Sequence, residues 1–296
     1  MIIEDAEGVT PAVVNALGAT TNARAKQIMD AFVRHAHAFA QEVKLTEEEF
    51  EYGLEFLNRI GQKTNDVHNE AILFADTIGL STLVCLMNNG QNGATETAAA
   101  LLGPFWRMHS PPTANGGSIV RSQTPGPVLF ANCKIKDQDG KPIAGVEVDV
   151  WQSSPVGLYE NQDEAQTDMN LRGKFVTDTD GCFSFRSVKP AGYPIPIDGP
   201  VGDMIKVQNR RHYRPAHIHF LCFKDGFKTL VTQVFVDDDK DLQCDVVFGV
   251  TRALIGDFKK HEGAAPDADV TGPWYSLDYT FVMERGVAKL PHPPIK

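Results

Sequence analysis

The sequence predicts a mainly β protein with a helical N-terminal region, helices over residues 1–105 and a β-sandwich over 106–296. Three observations carry this. The first hundred residues place apolar side chains at helical spacing. A run rich in turn formers, "HSPPTANGG", follows. Beyond it come strand-length runs divided by Asp-Gly turns, the pattern of short antiparallel strands in a sandwich or barrel.

Within the helical region, "RAKQIMDAFVRHAHAFAQEV" presents an apolar face. His35 and His37 fall on different faces of such a helix, so they are surface or packing residues and not a metal pair. Thr46, with Glu49 three residues on, is a capping-box signature. Behind it Phe50, Leu54, Leu57 and Ile60 recur at helical spacing, and "VHNEAILFADTIGLSTLVCLMNN" reads as a further helical stretch. In the second half, strands are expected in "LFANCKIK", "KPIAGVEVDVW", "KFVTD", "CFSFRSV", "IHFLCF" and "FKTLVTQVFV". The turns "DQDG", "TDG" and "KDG" separate neighbouring pairs, and "DADVTGPWYSLDYTFVMERG" supplies a last strand.

Composition narrows the function classes. A hydrophobic share of 42% and a charged share of 22% suit an ordinary folded chain. The net charge of −10 argues against nucleic acid or an anionic membrane as the partner and leaves a small substrate open. No apolar stretch approaches the ~18–20 residues of a membrane span, so no membrane insertion is expected. The start "MIIEDAEGVTPAVV" has early acids and lacks the basic-then-apolar order of a secretory signal. Five scattered cysteines, odd in number and without a CxxC, read as reduced thiols. The expected location is the cytoplasm.

Chemistry enters at "RRHYRPAHIHFLCF", residues 210–223. Residues two apart in a strand share a face, so His217 and His219 project side by side, flanked by Ile218, Phe220, Leu221 and Phe223. Two desolvated imidazoles repel when charged and need partners when neutral. A metal takes both lone pairs; a hydrogen-bonded pair of core histidines is the alternative. A cupin-like strand would need a glutamate soon after, where this chain has Phe223 and Lys224. An iron(II) facial triad wants a nearby carboxylate, and the first is Asp225, in a turn. Phenols remain: Tyr213, Tyr193 in "KPAGYPIPIDGP" and Tyr159 in "SSPVGLYENQD". A phenol ionises only near pH ~10, so phenolate ligation points to Fe(III) rather than Zn(II). Strand parity favours Tyr213, four before His217, but pattern alone does not choose among the three.

The segments "GLYENQDEAQTDMNLRGKF", "KPAGYPIPIDGPVGDMI" and "YRPAHIHF", in that order, resemble the intradiol ring-cleaving dioxygenases. The resemblance runs from about "LLGPFWR" to the C-terminus, and the helical region is similar to the dimerising domain of the catechol-type branch. It implies a β-sandwich catalytic domain, a helical dimerisation domain and one non-haem Fe(III) per subunit. The implied ligands are Tyr159, Tyr193, His217 and His219, with Tyr213 set aside as a neighbour. A vicinal diol would bind as a dianion, its protons passing to a hydroxide and to the departing Tyr193, and O2 would open the ring to a cis,cis-muconate. Arg214 would stabilise charge developing on the substrate, and Gln233 in "VTQVF" would be the amide near the iron. Read alone, these two are an ion-paired arginine and a strand glutamine.

The same resemblance maps the pocket wall onto Leu73 and Asp76, onto Leu102, Gly103, Pro104 and Phe105, onto Ile195 and Pro196, and onto Val247, with Arg214 facing the substrate. "PIPIDGPVGDM" is closer to the hydroxyquinol-cleaving members than to plain catechol enzymes. A carboxylate facing an aromatic pocket costs several kcal/mol unless paired, and a third substrate hydroxyl would pair with Asp76. The alternative is an aspartate facing solvent. The expected substrate is hydroxyquinol (1,2,4-trihydroxybenzene), giving 3-hydroxy-cis,cis-muconate or maleylacetate; catechol or a chlorocatechol is the alternative. Trp106 and Arg107 depart from the usual pattern and are expected to reshape the pocket mouth; "ENQD" after Tyr159 also departs from the catechol enzymes, and both bear on substrate identity, not on the iron. Expected partners are a small aromatic diol or triol, O2, a second copy of the chain in a homodimer, and phospholipid at the helical interface. A transthyretin-like carrier and a zinc hydrolase are the readings from other classes, and both predict colourless protein.

Overall fold

The computed structural model describes residues 2–66, 68–89 and 95–294. The helices are α1 (Val9–Ala16), α2 (Ala23–Val43), α3 (Glu47–Lys63), α4 (Glu70–Thr77), α5 (Leu80–Asn88) and α6 (Pro200–Val207). The capping box forms at α3: Thr46 donates its N–H to Glu49 at 2.9 Å, and Glu49 donates its own to the Thr46 hydroxyl at 3.2 Å. His37 hydrogen-bonds the Thr10 hydroxyl at 2.9 Å, a packing role between α1 and α2. The stretch expected as one helix from Val67 onward is two, since Gly79 (φ 75°) takes a left-handed turn and the axes of α4 and α5 differ by 78°. Val67 itself lies outside the described residues. Among the described residues no single helix is long and apolar enough to cross a membrane.

The strands are β1 (Val128–Asp137), β2 (Glu147–Gln152), β3 (Arg172–Val176), β4 (Cys182–Val188), β5 (Tyr193–Pro194), β6 (Tyr213–Arg214), β7 (His217–Phe223), β8 (Leu230–Val236), β9 (Ile255–Gly256), β10 (Phe258–His261) and β11 (Trp274–Met283). They form a four-stranded sheet β10-β11-β1-β4, a five-stranded sheet β3-β2-β7-β8-β9 and a small β5-β6 ladder. The ladders are not all antiparallel as the turns suggested: β1 pairs with β11, and β8 with β9, in parallel. Of the Asp-Gly turns, only KDG joins paired strands, β7 and β8; β1 and β2, and likewise β3 and β4, lie in different sheets.

Compactness divides the chain into two units, 1–59 and 60–296. The sequence suggests a division at 105, where helix gives way to strand. Residues of α4 and α5 nevertheless bond to the strand-bearing part: the buried Glu70 carboxylate accepts the N–H of Val201 at 3.0 Å, and Thr82 donates to the Val247 carbonyl at 2.9 Å.

The main core lies between the two large sheets and shows why the site sits where it does. From β7, Ile218, Phe220 and Cys222 join Val148 and Val150 of β2 and Val234 and Val236 of β8 in one apolar cluster. The alternate residues face the other way: Leu221 of β7, Trp151 of β2 and Val231 of β8 pack with Tyr159 and Tyr193. β7 is therefore buried on both faces, and its second face carries His217 and His219.

Candidate active site

His217 and His219 are each 1% exposed. His217 Nδ1 lies 2.7 Å from the Pro215 carbonyl, which fixes the proton there and leaves Nε2 with a lone pair. That Nε2 is 3.1 Å from Nε2 of His219. Burial, aided by Arg214, lowers His217 to about 3, while burial and then His217 push His219 well below its ordinary value. Both rings are thus neutral, and a proton or a cation must lie between two nitrogens this close. Two neighbours fix the second ring. Trp151, opposite His219 in the β2–β7 register, lies flat against it. Gly103 (φ 72°) brings bare backbone to the other atoms, since a Cβ there would sit 3.2 Å from His219 Cε1.

The phenols come from irregular chain. Tyr193 sits in the short β5, opposite Arg214 of β6. Tyr159 precedes a single 3-10 turn and donates its backbone N–H to the Gln162 side chain at 3.0 Å. Its ring meets Tyr193 edge-on at 5.6 Å and stacks on Phe105 at 4.4 Å. The Tyr193 ring lies 5.6 Å from His217, and the Tyr159 ring 6.4 Å from His219. Among the described residues none hydrogen-bonds the buried Tyr159 hydroxyl. Burial, then Tyr193, push this phenol well above its usual range, against the pull of Arg214 and Arg172. A buried hydroxyl whose only polar neighbour is another phenol is costly to keep, and an electrophile beside it would relieve that cost. Among the described residues no group of three or more His, Cys, Asp or Glu could hold a metal. The phenols of Tyr159 and Tyr193 are the ionisable oxygen donors whose rings lie beside the two imidazoles. The donor set of two neutral imidazoles and two phenols fits a hard, strongly acidic ion such as Fe(III). Tyr213 stands apart. Pro215 interrupts the strand, so β6 and β7 belong to different sheets and parity does not carry across; the Tyr213 ring packs on His212 at 4.9 Å.

Arg214 is buried and well tied. It donates to Asp245 at 3.2 Å and to the Gln233 side-chain oxygen at 3.0 Å, and its Nη1 is 3.3 Å from His217 Nε2. Gln233, opposite His219 in β8, passes its own N–H to the Leu101 carbonyl at 2.6 Å. Sequence reasoning missed Asp245 and Trp151. The signal for Asp245 is a lone acid in the apolar run "CDVVFGV"; for Trp151 it is the in-phase end of the strand beside the histidines.

Of the expected wall, Leu73, Ile195 and Val247 pack in one apolar cluster. Leu102 and Phe105 pack against the Trp151–Tyr159–Tyr193 cluster, while Pro104 and Pro196 are exposed. Burial raises the Asp76 carboxyl above its ordinary value, opposed by the Ser81 hydroxyl and by Arg214. Two residues expected to alter the pocket mouth are engaged elsewhere. Trp106 is buried beside Trp151, and Arg107 donates to Glu160 at 2.8 Å and to Asp168 at 2.7 Å. The Arg107 bonds tether the loop after Tyr159, where Glu160 also takes Arg172 at 2.6 Å.

Two buried imidazoles and two buried phenols thus lie together against one face of the five-stranded sheet. Residues 102–284 match the "Dioxygenase" family model and residues 22–96 the "Catechol dioxygenase N terminus" model. The chain belongs to the intradiol dioxygenase family and is an enzyme of that class, whose members generally depend on non-haem iron. It is 40% identical to a catechol 1,2-dioxygenase of Candida albicans, over 92% of this chain and 90% of that one. It is also 40% identical to a hydroxyquinol 1,2-dioxygenase of a Rhizobium species, over 88% of this chain and 90% of the other. The solved hydroxyquinol 1,2-dioxygenase of Pseudomonas putida superposes with a TM-score of 0.89 at 38% identity, covering 95% of this chain and 99% of that one. Family membership sets aside the non-catalytic carrier.

Proposed function

We propose that the chain holds one Fe(III) per subunit through Tyr159, Tyr193, His217 and His219 and cleaves hydroxyquinol between its vicinal hydroxyls to 3-hydroxy-cis,cis-muconate or maleylacetate. The buried, unpartnered Tyr159 hydroxyl beside the facing imidazoles is the observation that carries the metal. When bound, the ferric ion draws electron density from the diol and activates it towards O2. The remaining work belongs to the chain. Tyr193 would take up a substrate proton, and Tyr159 and the two imidazoles would hold the ion. Arg214, its charge matched by Asp245 and its position fixed by Gln233, stabilises negative charge on the substrate oxygen. The apolar walls and Phe105 exclude water.

Hydroxyquinol is favoured by Asp76. Its carboxyl is held in a partly desolvated position on the same helix as Leu73, where a third ring hydroxyl supplies a hydrogen-bond donor. Relatives named hydroxyquinol and 6-chlorohydroxyquinol 1,2-dioxygenase, 40% and 39% identical, support it. The Candida albicans catechol enzyme, also 40% identical, keeps catechol or a chlorocatechol as the second reading. Exposed Ile28, Phe32 and Phe39 on α2 and Phe50, Leu54 and Leu57 on α3 form apolar stripes suited to a homodimer and to phospholipid between its helices. Five free thiols suit the cytoplasm. The test is a visible spectrum with metal analysis of the purified protein. A tyrosinate–iron charge-transfer band that shifts on adding hydroxyquinol is expected; colourless protein carrying zinc would refute the centre.

A further inference from the structure

The pocket wall has two parts from distant stretches of chain: α4, with Leu73 and Asp76, and the tight turn at 245–249, with Val247. Arg210, upstream of the histidine strand, joins them. Its guanidinium donates at 2.8 Å to the carbonyl of Thr77, the last residue of α4, and at 2.9 Å to the carbonyl of Val246. The ring of Phe248 lies over that guanidinium, 4.9 Å from centroid to carbon.

Phe248 itself is unusual. It has φ 58°, in the left-handed region that bulky side chains rarely adopt, and it is 52% exposed. The same ring lies close to Gly79, where a Cβ would come within 3.3 Å of it. The turn is organised by Asp245, whose carboxylate accepts the N–H of Val247 at 3.3 Å and of Gly249 at 2.9 Å. An aromatic residue kept half in solvent in an uncommon conformation indicates a position fixed by its contacts and not by core packing.

Resting on the reading above that Leu73, Asp76 and Val247 face the substrate, we infer that Arg210 and Phe248 form a clasp. The clasp sets the distance between α4 and the 245–249 turn, and so selects the substituent on the ring. Arg210 is a positioning residue: it acts through the two walls and lies outside the metal centre. Its planar fork suits two carbonyls at once; a lysine can serve only one and stacks less well on Phe248.

The test uses the full-length, iron-loaded enzyme and three variants, Arg210→Met, Arg210→Lys and Phe248→Gly. Iron content, the visible band, melting temperature, and kcat and KM for hydroxyquinol and catechol are measured for each. Iron content and the resting band should match the parent. For Arg210→Met, KM for hydroxyquinol should rise about tenfold with little change in kcat, and the kcat/KM ratio between the two substrates should fall by about tenfold. Arg210→Lys should recover part of this ratio. Phe248→Gly should show the same loss of discrimination without loss of thermal stability, since glycine takes this φ freely; it decides the matter should Arg210→Met fail to fold. An unchanged ratio, or equal losses on both substrates, would overturn the clasp. A parent without preference for hydroxyquinol would sink the substrate reading alone. The clasp is then read from the ratio of 4-chlorocatechol to catechol, which must move in the variants.

Discussion

The indole of Trp151 lies flat on the imidazole of His219, ring centroids 4.6 Å apart and planes within 7°. The β2–β7 register places the two residues opposite each other, so the stack is written into strand pairing. It fixes the orientation of the imidazole and hence the direction of Nε2.

Stacked aromatic pairs contribute about 0.5–1.5 kcal/mol beyond buried area. Trp151→Leu should therefore weaken iron retention about twofold to tenfold, while Trp151→Phe keeps most of it. Competition with a chelator measures the difference. Equal retention in both variants would show that the stack does not orient the ligand.

The three tyrosines separate cleanly by experiment. Tyr159→Phe and Tyr193→Phe should each change the charge-transfer band and cut turnover severely. Tyr213→Phe should leave iron content intact, because its ring packs on His212 across the Pro215 break. Loss of iron in Tyr213→Phe would mean that strand parity had named the ligand after all.

Asp76 tests the substrate. A hydrogen bond to a charged group contributes about 1.5–3 kcal/mol, roughly 10- to 150-fold in kcat/KM. Asp76→Ala should depress hydroxyquinol cleavage by that factor and spare, or improve, catechol cleavage, since catechol offers this desolvated carboxylate no donor beyond Ser81. Parallel losses on both substrates would make Asp76 a structural residue.

At Gly103, both the φ of 72° and the 3.2 Å approach to His219 disfavour a side chain. Gly103→Ala should cost about 1–3 kcal/mol of stability and release iron more readily. Denaturant midpoints with parallel iron assays check it. A variant as stable and as iron-rich as the parent would show that the backbone yields there.

Acid should unfold the iron-free protein early. Burial lowers His217 from its ordinary 6.5 to about 3, so between these values the unfolded chain binds a proton that the folded chain refuses. Stability is complete above pH 6.5 and falls as the pH drops towards 3. The urea midpoint should decline steadily across this window, and less steeply in His217→Gln. A midpoint indifferent to pH there would show that the imidazole takes up a proton in place.

Part of this site is legible in the chain, and the reason is periodicity. His217 and His219 share a face because β7 runs unbroken through them, so alternation alone pairs them. The sandwich strands are legible for the same reason. Tyr159 and Tyr193 sit on short, irregular segments where no period operates, and only their resemblance to a family's motifs singles them out. Gly79 divides a stretch that composition reads as continuous helix, because apolar content persists across the left-handed turn. Asp245 and Trp151 escape notice because each acquires its role from a partner distant in sequence. The β1–β11 parallel ladder escapes it too, since it pairs strands far apart in sequence, and two of the Asp-Gly turns lead from one sheet to the other.

The two-faced burial of β7 couples the chemistry to quality control of the fold. Slipping this strand by one residue would swing Ile218 and Phe220 into the metal centre and drive both imidazoles into the apolar core. On the proposed ligand set, a chain misregistered here would lose its iron site. The colour expected of a ferric tyrosinate centre would then be an optical readout of correct strand registry, available in a crude extract before any substrate is added.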